Sequence, residues 1–164
     1  MTTERRARAL LVTESYWGNT AAVAEAVADG LRKAGTDTTV VAAADAPPVI
    51  GADITLVLIG APTHNMSLPN PASRRIAASR GVDADHTGVQ EWIGQLRVDG
   101  TPAIYAFDTH TSRFSGSAAR AIIKLLRRRR ISAEIGERFL VAGEPPALLD
   151  GELQRAARWA DQLT

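Results

Sequence analysis

The sequence contains no cysteine. That excludes disulfides, thiolate metal sites, iron–sulfur clusters and cysteine nucleophiles, so any redox chemistry needs a borrowed cofactor. Its three histidines are scattered without carboxylate spacing, which gives no metal site. No apolar run approaches the ~20 residues that span a bilayer. The opening Met-Thr-Thr-Glu-Arg-Arg-Ala-Arg lacks the apolar core of a signal peptide. The expectation is a soluble, cytoplasmic protein with no membrane partner. Neither sign of charge dominates, since 19 basic and 18 acidic residues leave a net +1, and such a balance points to no nucleic-acid partner. One run of like charge stands out, Arg127-Arg128-Arg129-Arg130. Cations there offset the negative end of a helix; the other reading is a docking patch for an acidic partner. Without interleaved aromatics the first is preferred.

What is present is an alternation. Five short apolar runs, Ala9–Val12, Thr39–Ala43, Ile54–Ile59, Pro102–Phe107 and Arg138–Val141, are nearly continuous, as strands buried on both faces are. Between them lie stripes of helical period: Val23, Val27 and Leu31; Val89, Trp92, Ile93 and Leu96; Ala119, Ile122, Ile123 and Leu126; Leu153, Ala156, Ala157 and Ala160. Trp92 falls on a stripe and reads as core, whereas Trp159 lies off one and reads as partly exposed. The second crossover leaves room for only a turn or so of helix. Such alternation implies βαβ units and a mostly parallel sheet with helices on both faces, in one domain over residues 1–164. The long irregular stretch from Ala61 to Asp85 leaves room for a small helix at Ala72–Arg80.

Doubly wound sheets bind ligands beyond the carboxyl ends of their strands, so the loops after strands one, three and four carry the functional expectation. In Ser15-Tyr16-Trp17-Gly18-Asn19-Thr20, the side chains of Ser15, Asn19 and Thr20 offer donors, Gly18 permits a tight turn, and a helix starting near Thr20 aims free amides at one spot. These residue types also cap helices. Their position between a first buried strand and a first helix favours an anion, held without lysine or arginine. A P-loop and a dinucleotide G-x-G-x-x-G are both missing. In the second loop Gly60 and Pro62 re-aim the chain, and Thr63, His64, Asn65 and Met66 offer a mixed polar and polarizable surface suited to a flat aromatic ligand. In the third, Asp108 follows the fourth strand, Thr109, Thr111 and Ser112 bring hydroxyls, and Gly116 or Ser117 opens the next helix.

In this order these segments resemble a flavodoxin. The likeness extends through Gly60-Ala61-Pro62-Thr63-His64 and Phe107-Asp108-Thr109 to Glu137-Arg138-Phe139-Leu140-Val141 and Gly151-Glu152-Leu153. The last two are similar to short-chain flavodoxin-like proteins common in high-GC actinobacteria. The resemblance implies five parallel strands in the order 2-1-3-4-5 and noncovalent FMN. Ser15, Gly18, Asn19 and Thr20 would hold its phosphate, and the loops at 61–66 and 108–114, including Pro62, Thr63, His64, Asn65, Asp108, Thr109 and His110, would flank its ring. Tyr16 and Trp17 stand where the family's phosphate loops usually have threonines, and His110, Trp17 or His64 would replace its stacking tyrosine. The function implied is electron transfer between redox partner proteins, a reductase and an acceptor. An NAD(P)H-dependent quinone or nitro reductase on the same fold and a flavin-free interaction module are the alternatives.

Overall fold

The computed structural model describes residues 5–64, 66–82, 87–112 and 114–164. Strand β1 (Arg8–Thr13) leads to helix α1 (Asn19–Lys33) and strand β2 (Asp37–Ala42). The second crossover then holds a single 3₁₀ turn at Ala43–Asp45 and the two-residue β3 (Val49–Ile50) before β4 (Leu56–Pro62). Helices α2 (Pro71–Ser79) and α3 (Val89–Gln95) and the short β5 (Arg97–Val98) precede β6 (Ala103–His110), α4 (Ala118–Arg128), β7 (Glu134–Ala142), β8 (Ala147–Leu148) and α5 (Glu152–Gln162).

The main sheet has the order β2-β1-β4-β6-β7-β8, and β3 pairs with β5 in a small second sheet. All pairings in the main sheet are parallel except that of β7 with β8. The five long strands therefore follow the expected 2-1-3-4-5 order, with β8 added at the edge. That extra strand and the small sheet rest on two-residue pairings, too short to leave a periodic signal in sequence. Strand β1 passes to β2 on one side and the chain then crosses to β4 on the other, so the order reverses at β1, between the loops that follow β1 and β4.

Alternating side chains feed two cores. Leu10, Val12, Val57 and Ile59 point toward α3 and α4, meeting Trp92, Ile93, Leu96, Ile122 and Leu126. Leu11, Leu58, Phe107 and Phe139 point the other way, toward Val23, Val27, Leu31, Ala156 and Trp159. Each such side chain taken fully from water contributes about 1.5–3 kcal/mol. Trp92 is core, and its indole N–H donates to Pro47 O at 2.8 Å.

Trp159 corrects the sequence reading: it is buried, with ring centroids 5.9 Å from Phe107 and 6.2 Å from Phe139. Leu153 and Ala157 are exposed instead, and the buried face of α5 is Ala156, Trp159 and Ala160. Two glycines set this rotation. A Cβ on Gly30 would lie 2.6 Å from Ala160 Cβ, and one on Gly136 would lie 2.3 Å from the Trp159 ring. Bare backbone at both positions lets α5 close on α1 and its indole lie flat over β7.

Helix α2 forms where the irregular stretch left room. Pro71 occupies its first turn, and Asn70 accepts from Ser73 N while Ser73 Oγ accepts from Asn70 N, each at 2.9 Å. At the end of α4, Arg127 and Arg128 lie in the last turn, and Arg129 donates to Gly94 O and Leu96 O, tying that helix to the exit of α3.

Candidate functional site

The strands run further into the loops than their apolar cores suggest. β4 and β6 stay paired out to Pro62 and Thr109, so Asp108, Thr109 and His110 belong to β6 itself. Thr63 stitches this edge together, its N–H donating to Thr109 O at 2.8 Å and its Oγ1 accepting from Ala118 N at 3.1 Å. The loops after β1, β4 and β6 thus share one rigid rim.

Helix α1 opens onto that rim. Its N-cap is Gly18, left-handed at φ +84°, and no cap-residue side chain closes the helix. Ser15 reaches forward to accept from Ala21 N at 3.3 Å, Asn19 donates to Pro146 O at 2.9 Å, and Thr20 shares a 3.1 Å hydroxyl contact with buried Thr109. The positive end of a fifteen-residue helix is therefore framed by hydroxyls and left open. The cavity in front of it holds about 70 Å³ and is lined by Ser15, Tyr16, Trp17, Asn19, Thr20, Pro62, Thr63, His64, Thr109, His110, Thr111, Val141 and Pro146. Its lining includes no arginine, lysine, aspartate or glutamate.

A groove of about 440 Å³ adjoins it, sharing Trp17, Thr63, His64, Thr111 and Pro146, and adding Ser73, Ile76, Ala77, Arg80 and Glu144. Trp17 and Ile76 are exposed along it. Of the three rings offered for stacking, Trp17 and His64 line the groove; His110 lines only the cavity.

Below the first loop lies a cluster that sequence reasoning missed. Glu14 is buried at the end of β1, with Oε2 accepting from the Tyr16 hydroxyl at 2.7 Å and from Arg74 Nε at 2.8 Å. Its Oε1 accepts from Val89 N at 3.0 Å. Arg74, buried on α2, also grips Glu91 at 2.6 and 2.8 Å, and Glu91 accepts from Gly88 N at the start of α3. The Tyr16 hydroxyl turns down to Glu14 and its ring meets His64 edge-on, centroids 4.7 Å apart. The loop is thereby anchored from beneath by α2 and α3. Burial and the Glu14 contact push the Tyr16 phenol well up, so it stays protonated. Burial works against the Arg74 cation, but its bonds to Glu91 and Glu14 more than offset this and raise its pKa. The one legible signal was Glu14 itself, a carboxylate directly after a buried strand, which demands a partner; the partner lies 60 residues away.

Asp108 departs from the sequence reading in its orientation. Its carboxylate is fully buried and faces α4, accepting from Ser117 Oγ at 2.8 Å and Ala119 N at 3.0 Å, with Arg138 Nε at 2.8 Å on the other oxygen. It braces the helix and lines neither hollow. Burial lowers the pKa of both His64 and His110, and Arg138 lowers that of His110 further, so both imidazoles are neutral at pH 7. Asn65, His86 and Arg113 lie outside the described residues.

The hollows fit FMN: an uncapped helix end walled by neutral groups suits a phosphate, and the groove beside it suits a flat ring. No group of three or more potential metal ligands occurs among the described residues. None of the described helices is long and apolar enough to cross a membrane.

The family model for flavodoxin matches residues 11–90, which include the first loop and Glu14, Arg74 and Val89 of the cluster under it. No curated protein matches the chain. Among solved structures, the flavodoxin of Streptococcus pneumoniae TIGR4 superposes with a TM-score of 0.64 at 19% identity, covering 96% of this chain and 97% of that one. Oxidised flavodoxin 1 from Bacillus cereus gives 0.64 at 15% identity, over 95% and 96%. The two-electron reduced flavodoxin of Megasphaera elsdenii gives 0.56 at 15%, over 94% and 98%. Across residues 11–90 the chain matches the flavodoxin family model, and along nearly its whole length it shares the flavodoxin fold.

Proposed function

We propose that the chain acts as a single flavodoxin-like domain over residues 1–164, binding FMN and carrying electrons between a reductase and an acceptor protein in the cytoplasm. The observation that carries this reading is the open N-terminus of α1, uncapped at Gly18 and facing a cavity without charged walls. The backbone amides of Asn19 and Thr20, with the Ser15 and Thr20 hydroxyls and the Asn19 amide, would hold the phosphate. Pro62, Thr63, His64 and Trp17 would place the ring along the groove. Asp108 would act at one remove, fixing α4 and hence the amide that bonds Thr63. Bound FMN would supply one- and two-electron transfer, chemistry that belongs to the flavin and not to the side chains around it.

Titration with FMN tests this: fluorescence of the free flavin should be quenched with one site per chain, and riboflavin, lacking the phosphate, should bind markedly more weakly. Undiminished emission at high protein concentration would sink the reading, leaving the flavin-free interaction module. The reductase alternative draws on the groove wall supplied by Ile76, Ala77 and Arg80 of α2, which could seat a substrate over the ring. Oxidation of NADPH by the purified, FMN-loaded protein with a quinone acceptor and no added reductase would establish that alternative.

A further inference from the structure

The cavity in front of α1 offers a dianion helix amides and hydroxyls but no permanent cation. It does contain one side chain whose bonding is incomplete. His110 is 93% buried, being 7% exposed, and its Nδ1 is the one buried side-chain nitrogen or oxygen among the described residues without a hydrogen-bond partner. That nitrogen sits 3.5 Å from Asp108 Oδ1, a contact that falls short of hydrogen-bond geometry. Asp108 is already satisfied by Ser117, Ala119 and Arg138.

We propose that His110 is the cavity's conditional cation: it takes up one proton from solvent when a phosphate group enters, and as imidazolium bridges that phosphate to Asp108. The proposal rests on the FMN reading for its ligand, but its chemistry requires only a phosphate. With the cavity empty, the imidazole is neutral because burial and the Arg138 charge oppose protonation, while Asp108 and Glu152 favour it. Of the other neighbouring elements, α1 presents Asn19 and Thr20 to the cavity, the β4 exit presents Thr63 and neutral His64, and the β7–β8 turn presents Pro146, with Glu144 of that turn lining the adjoining groove. A dianion of about −1.5 to −2 charge in the same cavity exceeds the opposing Arg138 charge and tips the balance. The proton on Nδ1 then points at Asp108 and that on Nε2 at the phosphate, so both ring nitrogens gain partners. The charged residue that the lining lacks is supplied only with the ligand present, which selects a phosphorylated flavin over its dephosphorylated form.

NMR titration of His110 in the full chain, alone and with FMN, riboflavin or inorganic phosphate, tests this. The expected result is a pKa below the ordinary 6.5 in the free protein, moved above that value by FMN or phosphate and left in place by riboflavin. Affinity for FMN should then weaken as pH rises from 6.5 to 8, by up to about tenfold per unit for one linked proton, and His110→Gln should flatten that slope. An imidazole that stays neutral with FMN bound, or an unchanged slope in the variant, overturns the proposal while leaving FMN binding intact. If FMN fails to bind but phosphate still shifts His110, the proton linkage stands and the flavin reading falls; if neither ligand shifts it, both fall. Should His110→Gln not fold, the wild-type titration decides alone.

Discussion

Two glycines at the site differ in why they must be glycine. At Gly60, a Cβ would stand 2.1 Å from Phe107 Cζ, so Gly60→Ala drives the ring out of a close-packed core. The expected cost is about 1–3 kcal/mol of overpacking strain, read as a lower midpoint of urea unfolding. At Gly18 there is open space, but φ is +84°. Gly18→Ala should cost about 1–2 kcal/mol, leave the fold intact, and weaken FMN binding by reorienting the amides that face the cavity. Trp17 provides the contrast. It is 42% exposed and lines both hollows, so Trp17→Ala should change stability by no more than about 0.5 kcal/mol and still lower flavin affinity several-fold in a quenching titration. The special backbone of Gly18 was legible from its place between strand and helix. Gly60 reads in sequence as a residue that re-aims the chain, but its reason is the Phe107 ring on β6, brought there by pairing.

Elements meet the site through Arg74. One side chain on α2 joins the end of β1 to the start of α3, replacing what would otherwise be three independent loop anchors. Arg74→Met leaves Glu14 as an uncompensated buried carboxylate, and breaking such a pair costs about 3–5 kcal/mol. Glu14→Gln combined with Arg74→Met should recover part of that loss, as a double-mutant cycle in thermal or urea unfolding would measure. Equal destabilisation in the single and double variants would mean that the charge on Glu14 is not what Arg74 serves. In sequence, the extent of α2 was foreseen to within a residue at each end, yet its role was not. Nothing in the neighbouring sequence marks Arg74 as buried. Trp159 fails the same way: a stripe on α5 locates a face, but Gly30 and Gly136 on two other elements choose which face closes.

At the scale of the whole molecule, the groups held off their ordinary pKa values give stability a pH profile. Burial depresses His64 and His110 in the folded state below 6.5, so the unfolded chain binds their protons more readily, and this contribution is full above 6.5 and declines as pH falls below it. Glu91, where burial is outweighed only by the Arg74 bond and charge together with backbone bonds, and Glu152, bonded first by Arg155, are held below their ordinary 4.5; their contribution is full above 4.5 and is lost at lower pH. Thermal midpoints of the ligand-free chain should therefore fall in two stages from pH 7 downward. A flat profile between pH 7 and 5 would contradict the burial of the imidazoles. Saturating FMN should reduce the first stage, because a proton on His110 would no longer oppose folding once a phosphate shares the cavity. The sequence by itself determined the alternation of strand and helix, the order of the five long strands through family likeness, and the place of the first loop at the mouth of the first helix. These are local, since apolar period and turn chemistry are written in neighbouring residues. Only the tertiary structure decided that Asp108 faces inward, that Tyr16 anchors downward, that Arg74 is buried, and that His110 lines the cavity before α1 without a full set of bonds. Each depends on which strand pairs beside which and how far, and that register joins residues dozens of positions apart.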